Sequence, residues 1–448
     1  MISYSIIQKS QLEGALRLDA EYYQPEYLKI RENIKNIGFF NFGDIITAFG
    51  SGKNLPQTDN ASFIKFVRTQ NVRPIIIDDN GMSFTQQKNY PKLNYGDLLF
   101  VRVGEGVGNS SVVTKNFQDT TFSDNVIRIR IKNVNPFYVS VLLNSKIGSL
   151  LMEQIKKGSA RSLISRENLN SLRIPKIIQE QQIYFEDIVN QSEKLIIESE
   201  KIYSQAENLL LEELGIKDFE IDDDLSYIVN LSEIKSAHRA DAEYFQPKYD
   251  KLVERIKNRN AKTLGEVVSM KKGIEPGAEA YQDEGRLFIR VSSLSKYGIE
   301  DKDQKYLSEE LYQKLKNNHE PKVGEILLTK DATPGIAYVA KGQIEGIISS
   351  GILRLKIKDK EIENEYLVLC LNSILGQMQA EHDGRGSIIT HWRPEQIKNI
   401  LIPILPKPTQ QKIADLVQKS HEARKKAKEL LEEAKQKVEN AIENEINK

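Results

Sequence analysis

The chain has 448 residues, 40 % hydrophobic and 28 % charged, a soluble globular balance that suits two to four folded units of about 100 to 200 residues each. Its 63 basic and 63 acidic side chains cancel, so no overall basicity announces a nucleic-acid partner, and no run approaches the roughly 20 apolar residues of a membrane helix. The start, Met1-Ile-Ser-Tyr-Ser-Ile-Ile-Gln8, lacks an export-signal pattern, and the single cysteine, Cys370, excludes an internal disulfide and suits a reducing cytoplasm.

In chain order, a short helix is predicted from about Asp19 to Lys35. A strand-rich body follows, with period-two runs such as Val126-Ile-Arg-Ile-Arg-Ile131 separated by Gly/Asn/Asp clusters. Within it, Gly104-Glu-Gly-Val-Gly108 lies between strands and reads as a hairpin turn. After Pro175 comes a long helix over residues 179–214. A second short helix, about Asp241 to Lys257, leads to a second body containing Gly351-Ile-Leu-Arg-Leu-Lys-Ile357, and a second long helix follows Pro403.

This order is a duplication. Arg17-Leu-Asp-Ala-Glu-Tyr-Tyr-Gln-Pro-Glu-Tyr27 returns as Arg239-Ala-Asp-Ala-Glu-Tyr-Phe-Gln-Pro-Lys-Tyr249, identical at eight of eleven positions at an offset of 222. Farther on the offset is 228: Gly96-Asp-Leu-Leu-Phe100 matches Gly324-Glu-Ile-Leu-Leu328, Leu143-Asn-Ser145 matches Leu371-Asn-Ser373, and Leu172-Arg-Ile-Pro175 matches Ile400-Leu-Ile-Pro403. The neutral total also divides unevenly. Residues 38–178 hold 18 basic against 10 acidic side chains, residues 179–237 hold 4 against 15, and residues 260–407 balance at 21 each.

Both long helices fit one heptad register. Ile188, Leu195, Ile202 and Leu209, and Leu416, Ala423 and Leu430, fall at d. Phe185, Ser192, Ser199 and Ala206, and Ile413, Ser420, Ala427 and Ala434, fall at a. Small a residues let backbones approach while large d residues interdigitate beside them. An α+β chain is therefore expected: a tandem, pseudo-twofold repeat of two strand-rich bodies separated by two long helices packed as an antiparallel coiled coil. At about 1.5 Å per residue, the first helix makes a rod of about 54 Å. The basic run Arg424-Lys-Lys-Ala-Lys428 is expected to supply flanking ion pairs, facing a first helix with nine acidic and two basic side chains.

Catalytic constellations fail one by one. Asn135-Pro-Phe-Tyr138 lacks the second proline of the adenine-methyltransferase loop. Gly50-Ser-Gly-Lys-Asn54 has Thr47 where a phosphate loop needs glycine and Asn54 where it needs Ser or Thr. The five histidines, at 238, 319, 382, 391 and 421, show no ligand spacing, so neither metal nor cofactor is expected.

Several marks recur in the same order in both halves: the turn Val103-Gly-Glu-Gly-Val-Gly-Asn109, a strand and helix ending in Leu-Asn-Ser, and a Gly/Ser loop at Gly158-Ser-Ala-Arg-Ser162 and Gly384-Arg-Gly-Ser387. An Ile-Pro exit follows, then a Gln-Gln pair opening the long helix at Gln181-Gln182 and Gln410-Gln411. In that order the chain resembles the specificity subunit of type I restriction-modification enzymes. The resemblance implies target-recognition domains at 38–178 and 260–407, spacer helices at 179–214 and 408–448, an N-terminal helical segment at 1–37, and a linker with a second helical segment at 215–259. It further implies a non-catalytic protein that reads a split site on double-stranded DNA and recruits two modification subunits, which methylate adenine, and restriction subunits. Loop residues at matching positions are the candidate DNA contacts: Arg68, Gln70, Asn71, Arg102, Arg161 and Ser162 in the first body, and Arg290, Ser292, Lys330, Arg385 and Ser387 in the second. The competing readings are a partner-binding scaffold that does not read DNA, or a specificity subunit of a type IIB-like system.

Overall fold

The protein is described by a computed structural model covering residues 5–9, 12, 18, 20–104, 106–156, 164–219, 226–301, 304–384 and 391–446. It divides into two compact units, residues 1–197 with 425–448, and residues 198–424, so that both boundaries fall inside the long helices Gln179–Leu214 and Lys407–Ile446.

In the first unit the opening helix begins at Pro25, later than the period suggests, and ends at Ile37. Proline at the first helical position has no N–H to lose and presets φ, but it cannot continue a preceding turn, so Ala20–Tyr23 forms a separate 3-10 turn. Strand Phe39–Asn41 pairs antiparallel with Arg173–Pro175 and closes the body at its ends. Between them lies a five-stranded sheet in the order Ile46–Ser51, Val126–Ile131, Leu98–Val101, Ser110–Val112, Ile75–Ile76. A three-stranded sheet, Ser83–Thr85, Ile64–Val67 and Thr121–Phe122, stands beside it. The alternation in Val126–Ile131 turns Ile127 and Ile129 into one core and leaves Arg128 and Arg130 part-exposed on the other face, where the buried carboxylate of Asp97 accepts from Arg130 Nε at 2.7 Å, while Val126 is buried in a second core.

The second unit repeats the plan. Ala261–Thr263 pairs with Leu401–Pro403, and a four-stranded sheet runs Val268–Lys272, Ile352–Ile357, Ile326–Thr329, Ala337–Val339. Lys305–Leu307, Arg286–Ile289 and Gly346–Ile348 make its three-stranded sheet. Arg354 and Glu325, the counterparts of Arg128 and Asp97, lie 3.4 Å apart.

Duplicated side chains do duplicated work. The Tyr138 hydroxyl donates to the Pro175 carbonyl, and that of Tyr366 to Pro403, both at 2.8 Å. Asn135 caps the buried helix Pro136–Leu143 by accepting from Phe137 N–H, so the Asn-Pro-Phe-Tyr run is a cap and a brace. Of each Gln-Gln pair, Gln182 and Gln410 match: Gln182 Nε2 donates to Ile177 O and Gln410 Nε2 to Leu405 O, fastening the long helix to the Ile-Pro exit.

Within the first unit, Tyr184 bonds Glu433 at 2.9 Å and Ser192 Oγ donates to Ala427 O at 3.0 Å, so the two helices run antiparallel. Within the second, the Ser199 and Ser420 hydroxyls meet at 3.0 Å and Arg424 reaches Glu200 at 3.5 Å. The a positions Phe185, Ser192, Ser199, Ala206, Ile413, Ser420, Ala427 and Ala434 are all buried. The expected role of d needs correction: Ile188 is buried, but Leu195, Ile202, Leu209, Leu416 and Leu430 are only half-buried. Their neighbours Val189, Tyr203, Leu210 and Val417 are buried instead and join the cores of the bodies. A helix packed on both a partner helix and its own body needs a wider apolar stripe than a two-position seam.

Candidate nucleic-acid interface

In both bodies one strand of the three-stranded sheet ends in an arginine. Arg68 follows Ile64–Val67 and Arg290 follows Arg286–Ile289. Each opens a 3-10 turn from nearly the same extended backbone, φ −102 and ψ 171 for Arg68, φ −100 and ψ 165 for Arg290. The buried side chains three residues on hold them there: Arg68 N–H donates to Asn71 Oδ1 at 3.0 Å, and Arg290 N–H to Ser293 Oγ at 3.1 Å. Asn71 is therefore corrected from a DNA contact to a positioning residue, since it is 0 % exposed and its amide also donates to the Asp78 and Asn80 carbonyls. Gln70 and Ser292 are exposed. Gln70 Nε2 bonds Gly81 O at 3.2 Å, beside the Arg68 guanidinium on the same carbonyl, and Ser292 Oγ accepts from Arg290.

A short turn joins each arginine to the next candidate. Ser123 N–H donates to Val67 O and Arg102 N–H to Asn125 O, so Arg68 and Arg102 flank residues 123–125. Ser349 N–H donates to Ile289 O and Lys330 N–H to Gly351 O, so Arg290 and Lys330 flank residues 349–351 in the same way. The crossing strand packs so tightly here that only glycine fits: a Cβ on Gly52 would lie 2.0 Å from Phe122 O, and one on Gly273 2.1 Å from Ser349 O. The glycine of the failed phosphate-loop pattern thus has a structural job. Gly104, Gly106 and Gly108, with φ of 94, 78 and 90, form the loop of the hairpin pairing Leu98–Val101 with Ser110–Val112.

Arg102 is exposed and borders a groove lined by Phe49, Ser51, Ile127, Ile164, Ser165, Arg166 and Glu167. Arg166 is exposed and lies over the Phe49 ring, 5.4 Å from its centre. Sequence reasoning missed both residues because they meet only through the fold. Lys330 differs from Arg102. Its side chain is 10 % exposed and its Nζ lies 2.6 Å from Asp331 Oδ2, so it is corrected from a direct DNA contact to a partner of Asp331. Burial pushes the Asp331 carboxyl upward, but Lys330 and His391 outweigh it and hold the group below the ordinary carboxylate range. His391 Nδ1 stands 2.9 Å from Asp331 Oδ1. Arg161, Ser162, Arg385 and Ser387 lie outside the described residues.

Among the described residues no group of His, Cys, Asp and Glu has the arrangement of a metal site, and no helix is long and apolar enough to cross a membrane. Cys370 is buried and its thiol is pushed up to about 12, so it packs and does not react.

Residues 257–438, the second body with its flanking helices, match the family described as "Type I restriction modification DNA specificity domain". No curated protein matches the chain. Among solved structures, the chain is similar to the type I restriction-modification S subunit from M. genitalium, at 14 % identity and TM-score 0.39, over 91 % of this chain and 96 % of that one. It is similar also to the HsdS subunit from Thermoanaerobacter tengcongensis, at 13 % identity and TM-score 0.28, over 91 % and 96 %. The type IIG restriction endonuclease BpuSI shares 12 % identity at TM-score 0.32, over 45 % of this chain and 35 % of that one.

Proposed function

We propose that this chain is a DNA specificity subunit of a type I restriction-modification system, and that its bodies at 38–178 and 260–407 each read one half of a split site on double-stranded DNA. The observation that carries this reading is the repeated turn: Arg68 and Arg290 leave matching strands in matching backbone states, each beside a second strand end. An arginine held this way can present its fork to guanine O6 and N7, while Gln70 offers the amide that suits adenine. Arg102 and Ser292 complete the candidate surface, and Arg161, Ser162, Arg385 and Ser387 stand as candidate contacts on their sequence alone. The chain itself performs no bond chemistry. Two modification subunits carry methyl transfer to adenine, restriction subunits complete the nuclease, and the whole works in the cytoplasm.

The test combines the purified chain with its modification subunit, S-adenosylmethionine and plasmid DNA, and maps methylated adenines. An asymmetric two-part motif with an unspecified spacer is expected, and no methylation by the chain alone. A contiguous motif, or methylation without the second subunit, contradicts the proposal.

A further inference from the structure

The two bodies differ most where they correspond most closely. Ile164 N–H donates to Arg102 O, and Trp392 N–H donates to Lys330 O, so Trp392 stands to Lys330 as Ile164 stands to Arg102, and the residue before Trp392 lies beside Lys330. In the second body that residue is His391. Trp392 anchors it: the indole is 1 % exposed and its Nε1 donates to Asp383 Oδ2 at 3.0 Å. An antiparallel bridge between Asp331 and His391 fixes the backbone from the other side.

A carboxylate only accepts, so at 2.9 Å from Asp331 Oδ1 the His391 Nδ1 must carry the proton and donate it. Lys330 occupies the other oxygen, Oδ2, at 2.6 Å. The carboxylate is thereby spent on both sides, the ring is oriented, and Nε2 is the nitrogen left for a ligand. The His391 side chain is 65 % exposed, whereas Asp331 is 21 % and Lys330 10 % exposed, so the imidazole is the outermost of the three.

We propose that His391 is a specificity-determining residue of the second body, presenting Nε2 to a base edge in the DNA groove, with Asp331 and Lys330 as its positioning residues. This rests on the DNA-reading function proposed above. A base edge is favoured over phosphate because the lysine that shares the ring's carboxylate is already neutralised: the Lys330–Asp331 pair carries no net charge, and counterion-releasing phosphate contacts are made by cations with charge to spare. A ring clamped by its own carboxylate also gives up little freedom on binding, which suits directional readout. The first body, with exposed Arg102 and Arg166 around Phe49, has no such clamp among the described residues.

The test uses the full chain with its modification subunit and compares methylation motifs of the wild type, His391→Ala and Asp331→Asn. In His391→Ala one base position of one half-site should become degenerate, adenine methylation at sites carrying another base there rising on the order of tenfold or more, as expected for a lost base contact, while the other half-site stays intact. Asp331→Asn keeps the ring but loosens its clamp, and should relax the same position more weakly. An unchanged motif in both variants overturns the inference. So does uniform weakening at every sequence with a shallower salt dependence, which marks a phosphate contact. Neither result touches the wider DNA-reading function, which fails only if the wild type itself shows no two-part motif.

Discussion

His421 is a poorly accommodated side chain of the second unit. It is 7 % exposed, neither ring nitrogen has a hydrogen-bond partner, and Tyr203, Tyr297 and Tyr338 surround it. Burial, then the nearby charges of Lys341, Arg424 and Lys296, bring its pKa down to about 3 from an ordinary 6.5. Between those values the unfolded chain binds a proton that the folded chain refuses. Stability from this group is therefore full above pH 6.5 and is lost as pH falls toward 3, by about 1.4 kcal/mol per unit. Urea unfolding at pH 7.5 and pH 5 should show that slope, and His421→Phe should flatten it; an equal slope in the variant would assign the pH dependence to other groups. Nothing local marks His421, which stands in an ordinary polar stretch of helix. The same holds for Lys330. At the corresponding position to Arg102 it looks like a free cation, and its pairing with the adjacent Asp331, itself held by the tertiary approach of His391, shows only in the structure. Asn71 misleads for a related reason: Asn suits both a base edge and a backbone clamp, and burial decides between them.

At the scale of elements, the duplication and the period-two runs made the strands, the hairpin and the two long helices legible before any coordinate. The helix seam was legible in part. Its small a residues stand out in the heptad, but which large residues join them depends on how the body packs behind, and that is a tertiary fact. Replacing Ala427 with Leu should cost about 1–3 kcal/mol by overpacking, because Ala427 is 1 % exposed and its carbonyl takes the Ser192 hydroxyl. Leu195→Ala, at a half-buried d position, should cost less than the roughly 2–5 kcal/mol of a fully buried leucine. Chemical denaturation of both variants checks this; a Leu195→Ala loss at the top of that range with a neutral Ala427→Leu would restore d as the principal seam. The helix starts were legible only approximately, since Pro25 and Pro247 cut the predicted helices short at their first turn.

For the molecule as a whole, a tandem repeat predicts two readers whose base contacts are local to each body, and their chemistry has diverged. Residues 38–178 carry 18 basic against 10 acidic side chains, whereas residues 260–407 are balanced at 21 each. The first body should therefore contribute more non-specific phosphate attraction than the second. Independence of the two is the central claim, and a body exchange tests it most directly. Residues 38–178 are replaced by the corresponding body of a type I specificity subunit of known recognition sequence, leaving Gln179–Leu214 and Lys407–Ile446 intact. The hybrid is combined with the modification subunit and its adenine methylation is mapped. One half of the recognition site should change to the donor's sequence while the other half keeps its own; simultaneous change in both halves, or change in neither, would contradict the account.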